Sequence, residues 1–128
     1  MFHVNSFEAK QLSPTALAFV GDAVFDVFVR THVLVHNPAR ELHTPATRYT
    51  SAKGQAVLAA KLERLLNEDE REIFRRAKNA RLAHIPKSAT EAEYHLATAL
   101  EAVCGFLHLC GEGERLEELL EAVINNAS

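Results

Sequence analysis

The most constraining feature of this sequence is an acidic residue inside its most apolar stretch. Residues 16–29, ALAFVGDAVFDVFV, hold Asp22 among side chains that belong in a protein core. An unpaired carboxylate out of water takes up a proton unless a cation or a hydrogen-bond network stabilises its charge. A second acid, Glu101, lies in another apolar helical pattern over 96–109. We therefore predict that both carboxylates are buried, and two such acids in two core helices indicate a divalent-metal site.

Length and composition predict one all-α domain. The chain has 128 residues, and 48% of them are apolar, which is enough for a single core. Ala, Leu and Glu are frequent, and no segment alternates apolar and polar residues as a half-buried strand does. The start lacks the pattern of a secretory signal, so we expect a cytoplasmic protein. Asp22, Asp26 and Arg30 interrupt the stretch 16–35, which argues against a membrane span.

Capping signals divide the chain into helices. Ser13 before Pro14 predicts a helix start, because serine accepts a hydrogen bond from a free amide and proline has no N–H to leave unpaired. Thr90 and Glu93 form a capping box for the second core helix, and Gly111 is expected to end it. The predicted helices run from about 14 to 35, 44 to 66, 67 to 80, 90 to 111 and 112 to 123, with a short helical turn at 37–38 and a loop over 81–89.

Helical spacing places the acids on defined faces. Asp22, Asp26 and Arg30 share one face of the first long helix, and Thr98 and Glu101 share a face of the second. If these faces meet, Asp22 and Glu101 converge with Thr98 beside them. Carboxylates together with water suit Mg²⁺ or Mn²⁺. Such an ion activates water and neutralises phosphoryl charge, so hydrolysis of a phosphodiester is the expected chemistry.

The same acids also have ordinary structural explanations. Asp22 in a cap, or paired with an arginine such as Arg48 or Arg81, fits the spacing as well as a metal site does. Asp26 is better explained by an ion pair with Arg30, one helical turn later. The seven histidines form no recognisable metal or nucleophile motif, and we assign them no role.

Charge is unevenly distributed along the chain. The formal net charge is −3, yet every charged side chain over 73–90 is basic, whereas 112–121 is rich in glutamate. A local basic segment in an acidic protein is compatible with phosphate contact at one place. A solvated helix end followed by a charged loop explains the same pattern.

Four blocks of the sequence resemble a known family. Residues 16–30 resemble the signature helix of ribonuclease III domains, and in detail that of the stand-alone bacterial form, Mini-ribonuclease III. The blocks 49–56, 75–80 and 94–109 resemble further Mini-ribonuclease III segments in the expected order. This resemblance implies a ribonuclease III-like helical domain that forms a homodimer and cleaves double-stranded or structured RNA with Mg²⁺, or with Mn²⁺ as a substitute. It also implies that the substrate is the precursor of 23S ribosomal RNA.

The resemblance assigns roles to the two acids. Asp22 matches the aspartate of the Gly-Asp signature and Glu101 the glutamate of the second motif, the pair expected to be catalytic and to bind the metal. Ala18 and Thr98 stand where full-length ribonuclease III has a glutamate and an aspartate. Fewer carboxylates should hold a metal more loosely, so the alternative is a non-catalytic helical dimer that binds RNA or a ribosomal particle.

The charge and apolar patterns indicate where RNA and a second subunit would bind. The chain is expected to act as one domain, 1–128, with no double-stranded-RNA-binding domain, so RNA must contact the helical domain itself through phosphates and 2′-hydroxyls. Helix one carries apolar residues on several sides, namely Phe19, Phe25, Phe28 and Val29, and part of that surface is expected to face a partner subunit. The predicted RNA-binding residues are Arg75, Arg76, Lys78, Arg81 and Lys87, with Lys53 and Arg48 as weaker candidates.

Overall fold

Helices form nearly all of the part of the chain that the structure describes. The computed structural model describes residues 3–37, 43–82 and 84–125, and within these ranges it contains seven α-helices and no strand. The prediction of an all-α fold is confirmed. The helices are α1 (Ser6–Gln11), α2 (Pro14–His36), α3 (His43–Thr50), α4 (Ala52–Glu63), α5 (Glu68–Lys78), α6 (Glu91–Leu109) and α7 (Gly113–Asn125).

Helix α6 is the centre of the fold. It packs most extensively against α2, and also against α4, α5 and α7. From Ala97 to Leu107 every residue of α6 except Glu101 is buried, as expected for a helix that is apolar on all sides. Glu101 therefore lies at a break in the packing around an otherwise enclosed helix.

The capping predictions are confirmed. The Ser13 side chain accepts a hydrogen bond from the Ala16 amide at 3.1 Å and starts α2. Capping boxes at Asn67 and Thr90 start α5 and α6. Gly111 follows α6 with a φ of 73°, a conformation that glycine adopts without strain.

Two boundaries differ from the sequence prediction. The single helix predicted from 44 to 66 is wrong: α3 and α4 meet in an elbow at Ser51, whose ψ of 157° is extended. The Ser51 hydroxyl accepts from the Gly54 amide at 3.1 Å, so serine caps a new helix instead of continuing the old one. Helix α1, capped by Asn5, was not predicted. The predicted turn at 37–38 extends beyond the described residues.

The deeply buried acid of the core is Glu70. Its residue is 1% exposed, and both carboxylate oxygens accept hydrogen bonds from Arg115, at 2.9 Å each. The hydrogen bonds to Glu70 raise the pKa of the Arg115 guanidinium. Breaking it would leave a buried charge without a partner, so this pair fixes α7 against α5. Among the described helices, none is both long and apolar enough to span a membrane.

Candidate active site at the crossing of two helices

Helices α2 and α6 cross with their backbones in contact, at Gly21 and Gly105. A β-carbon on Gly21 would lie 1.6 Å from the Glu101 carbonyl oxygen, and one on Gly105 would lie 2.0 Å from the Leu17 carbonyl oxygen. Only glycine permits this approach at either position. Because Asp22 follows Gly21 directly, the crossing places its side chain beside Glu101.

The two carboxyl groups interact strongly. Burial, followed by hydrogen bonding and charge repulsion from Asp22, raises the pKa of Glu101 to about 8, although Gln55 acts in the opposite direction. Two close carboxylates cannot both ionise easily without a counter-charge. Glu101 therefore keeps a proton near neutral pH unless a cation takes its place.

The convergence of Asp22 and Glu101 agrees with the sequence prediction, but their burial does not. Asp22 is exposed and Glu101 is only partly buried. The reason is geometric: Gly21 occupies the buried position at the crossing, and Asp22, about 100° further round the helix, projects at its edge.

An ordinary ion pair with an arginine explains Asp26 but not Asp22. Asp22 forms no ion pair with an arginine in the part of the chain that the structure describes, so pairing with Arg48 or Arg81 is not observed. Asp26 pairs with Arg30 at 3.1 Å, as predicted for an ordinary helical ion pair.

Thr98 and Gln55 complete the surroundings of the pair. Thr98 is buried, but its hydroxyl donates to the Tyr94 carbonyl oxygen at 2.8 Å and is therefore engaged within its own helix. Gln55, from α4, hydrogen-bonds Glu101 and was missed as a site residue in the sequence. The available signal was one polar residue among the apolar core positions Ala56, Leu58 and Ala59.

The oxygen atoms at this site suit a divalent cation. Asp22 and Glu101 supply carboxylates, and the Gln55 amide oxygen is buried without a hydrogen-bond partner in the described structure. Hard cations such as Mg²⁺ prefer oxygen ligands. No cluster of three His, Cys, Asp or Glu residues able to hold a metal occurs within the described ranges, so a cation held by Asp22 and Glu101 would take most of its ligands from water. Mg²⁺ tolerates this because it retains several waters when bound.

The predicted RNA-binding residues at the end of α5 differ in how strongly other groups of the protein already engage their side chains. Arg76 donates to the Lys10 and Leu12 carbonyl oxygens at 3.0 and 3.1 Å, which fixes the α1–α2 connection. Arg75 pairs with Glu72 at 2.8 Å on the helix surface, and its side chain remains largely exposed. Lys78 lies 4.0 Å from Glu63, a loose and solvent-exposed pair.

The basic candidates other than Arg75 and Arg76 lie in three places. Lys78 and Arg81 line an open cleft of about 470 Å³ that reaches Glu91 and His95 at the start of α6. Lys87 is exposed in the turn that precedes α6. Arg48 and Lys53 are exposed and line a cleft of about 280 Å³ at the α3–α4 elbow. Lys53 is two residues from Gln55, but the two lie on opposite sides of α4, with Lys53 exposed and Gln55 buried.

An all-helical domain with paired carboxylates where its central helices cross, and basic clefts on its surface, has the make-up of a metal-dependent nuclease. Comparison with known proteins agrees. Residues 15–112 match the Ribonuclease III domain family. A Mini-ribonuclease 3 from Clostridium tetani is 36% identical over 92% of this chain and 80% of its own length. One from Symbiobacterium thermophilum is 42% identical over 87% of both chains.

A solved structure is also similar. The crystal structure of a Fusobacterium nucleatum protein aligns with a TM-score of 0.80 and 31% identity, covering 90% of this chain and 95% of that one. The chain therefore belongs to the ribonuclease III family, in its Mini-ribonuclease 3 group, and it is an endoribonuclease. Members of this family act on double-stranded RNA and depend on a divalent metal ion. The predicted family and enzyme class are confirmed.

Proposed function

We propose that this chain is a Mg²⁺-dependent endoribonuclease in which Asp22 and Glu101 are the catalytic, metal-binding pair. We further propose that it acts as a cytoplasmic homodimer on the base-paired precursor of 23S ribosomal RNA. The observation that carries the proposal is the meeting of the two carboxylates at the Gly21–Gly105 crossing. Two acids from helices far apart in sequence share one partly open position, where a hydrated cation and an RNA phosphate have access.

The two acids lie in different environments, and we therefore assign them different roles in the site. Asp22 is exposed and can reach a cation together with the phosphate next to it. Glu101 is partly buried, and hydrogen bonding from Gln55 favours its ionised form. A bound Mg²⁺ supplies an activated water and neutralises charge on the phosphoryl group. Mn²⁺ is expected to substitute, since it accepts the same oxygen ligands.

RNA contact is proposed for the exposed basic residues of the two clefts and of the turn before α6. A-form RNA is recognised through phosphates and 2′-hydroxyls, which side chains reach without reading base edges. Arg75, Lys78, Arg81 and Lys87 would contact one stretch of the duplex, and Arg48 and Lys53 another. Arg76 is instead proposed to act in folding, because its guanidinium already binds two carbonyl oxygens.

The homodimer proposal is supported by one face of α2. Phe19, Val27 and Leu34 are 82%, 64% and 61% exposed and lie within about 80° of one another round the helix. Exposed large apolar side chains on one face of a helix are typical of an interface. Of the residues first considered for it, Phe25 and Val29 are in the core. The interface would therefore use Phe19 and its neighbours along the face.

Substitution of Asp22→Asn tests the proposed site. We expect cleavage of a long RNA duplex in Mg²⁺ to fall by about 100-fold or more, because disturbing even the surroundings of a metal typically costs 10–100-fold. Duplex binding and dimer mass should be unchanged. Asp26→Asn is the matched control, since it alters an acid one turn away that is paired with Arg30. Equal cleavage by Asp22→Asn and the wild type would refute the assignment.

The proposed substrate needs its own measurement. We expect the enzyme to release the paired ends of a 23S precursor transcript in Mg²⁺, and a chelator to abolish the cleavage. A duplex of unrelated sequence and equal length is the control. Cleavage of the unrelated duplex at an equal rate would leave the enzyme assignment intact but remove the proposed substrate preference.

A further inference from the structure

The side-chain amide of Gln55 is buried but only partly paired. Gln55 is 5% exposed, and its Nε2 donates to the Thr50 carbonyl oxygen at 3.2 Å. Its Oε1 has no hydrogen-bond partner among the residues that the structure describes. Buried polar atoms are nearly always paired, so an unpaired amide oxygen next to an active site requires an explanation.

The orientation of this amide follows from its partners. The Thr50 carbonyl oxygen can only accept a hydrogen bond, so the end of the amide that faces it must be the nitrogen. The amide also adjoins Glu101, and it lowers the pKa of that carboxyl group. With the nitrogen facing Thr50, the oxygen is the end of the amide that has no partner in the described structure.

Gln55 occupies a core position that an apolar residue could fill. It lies on α4 in a buried row otherwise filled by Ala56, Leu58 and Ala59, which a leucine side chain would continue without an unpaired atom. Glu101 in turn adjoins Asp22. Three oxygen-bearing side chains from α2, α4 and α6 therefore meet at one place, and one of their oxygens is neutral and unoccupied.

We propose that Gln55 is a positioning residue of the active site: Thr50 fixes the orientation of its amide beside Glu101, and its Oε1 would accept a hydrogen bond from the water shell of a bound divalent cation. This inference rests on the proposed role of Asp22 and Glu101. A neutral acceptor completes the site without adding a third negative charge beside two carboxylates that already repel each other.

A purely structural role makes a different prediction. In that case Gln55 would serve only to fasten the α3–α4 elbow through Thr50, and any loss would appear as lower stability. The elbow has a second fastening, the hydrogen bond between the Ser51 hydroxyl and the Gly54 amide. Ser51→Ala therefore weakens the same elbow without touching the carboxylate pair, and it is the matched control.

The test is direct titration of Mn²⁺ by calorimetry at fixed pH, without RNA, on the full chain. We expect Gln55→Leu to weaken Mn²⁺ binding by about 10–100-fold, the usual loss when a group that orients a metal site is removed. Ser51→Ala should bind Mn²⁺ within about twofold of the wild type although it melts at a lower temperature. Cleavage by Gln55→Leu should recover partly at high Mn²⁺, because the defect is in affinity.

The variants Gln55→Asn and Asp22→Asn distinguish a failure of the Gln55 role from a failure of the whole site. Gln55→Asn keeps the amide but is one methylene short, and it replaces Gln55→Leu if the latter does not fold; we expect it also to lose at least about tenfold in Mn²⁺ affinity. Wild-type affinity in the Gln55 variants, with Asp22→Asn impaired, would overturn the role of Gln55 alone. Wild-type affinity in Asp22→Asn would overturn the proposed site and this inference together.

Discussion

At the scale of single residues, Glu101 is where burial, charge and function compete. The helix crossing removes it partly from water and places it beside Asp22, and both effects disfavour its ionised form. Only Gln55 opposes them. The folded chain therefore binds a proton at this position that a solvent-exposed glutamate would have released. The strain of two neighbouring acids is what prepares the site for a divalent cation.

This proton predicts how stability depends on pH. The pKa of Glu101 is about 8 in the folded state against an ordinary value of 4.5. Between these values the folded state holds a proton that the unfolded chain has lost, so raising the pH favours unfolding. With a chelator present, we expect the free energy of unfolding to fall between about pH 5 and pH 8 and then level off, as measured by urea denaturation.

Two controls isolate this effect. Glu101→Gln cannot ionise and should lack this part of the pH dependence, while other titrating groups contribute equally to both proteins. Saturating Mg²⁺ should reduce the fall in the wild type, because the cation stabilises the ionised pair. The same pH profile in Glu101→Gln and in the wild type would show that Glu101 does not carry the proton.

Residue patterns predicted part of this site and missed part of it. An acid in each of two apolar helices was enough to expect that Asp22 and Glu101 meet. Exposure of Asp22 was not predictable, because it depends on which residue of the helix lies at the crossing, and that is Gly21. Gln55 was missed because the partner of a buried amide is known only once α4 has been placed against α6.

At the scale of helices, the site depends on how closely α2 and α6 approach. Each helix has one glycine at the crossing, and each glycine faces a carbonyl oxygen of the other helix. Backbone contact of this kind fixes the distance between the two helices more firmly than side chains do, because there is no side chain to change conformation. Asp22 follows Gly21 in sequence, and the carbonyl oxygen of Glu101 is part of the contact, so the crossing determines the position of both carboxylates.

Substitution of Gly21→Ala should therefore damage both fold and site. Its β-carbon would lie 1.6 Å from the Glu101 carbonyl oxygen, which forces the helices apart. Overpacking in a core costs about 1–3 kcal/mol and sometimes more, and we expect the upper end here because the obstacle is backbone. Urea denaturation measures the loss. Gly113→Ala, which meets nothing within 4 Å, should change stability by about 0.5 kcal/mol or less. Equal stability of the two variants would contradict the close crossing.

Helix boundaries were predictable where capping chemistry was distinctive. Ser13, Asn67 and Thr90 each begin a helix as predicted. The break at Ser51 was missed because residues on both sides of it continue a helical apolar pattern, and a serine within such a pattern does not by itself indicate a new start. Helix α1 has six residues and one buried side chain, Ala9, so its periodicity is too short to detect.

At the scale of the whole molecule, the chain must bind an anionic duplex with a net charge of −3. It can do so only if basic residues are concentrated on the surface that meets the RNA. The described structure places the basic end of α5 and the α3–α4 elbow in separate clefts and engages Arg76 in folding. Overall charge therefore says little about affinity, and the salt dependence of binding is the more informative quantity.

The salt dependence of RNA binding tests this arrangement. We expect the combined change Arg75→Gln, Lys78→Gln and Arg81→Gln, made in an Asp22→Asn background to prevent cleavage, to weaken binding. The slope of log K against log salt should become shallower by about 0.9 for each phosphate that the variant no longer neutralises. Arg76→Gln is the control and should lower stability but leave the slope unchanged. An unaltered slope in the triple variant would place the RNA interface elsewhere.

Assembly is the last property of the whole molecule that the exposed surface predicts. Phe19 is 82% exposed on the apolar face of α2, and in a two-fold dimer it would be buried twice, once from each subunit. Burying two phenylalanines contributes about 3–6 kcal/mol, so Phe19→Glu should raise the dimer dissociation constant about a hundredfold or more. Sedimentation equilibrium measures this. Phe7→Glu removes an aromatic side chain that is 70% exposed on α1, and it should leave the dimer intact. If both variants dimerise equally, the α2 face is not the interface.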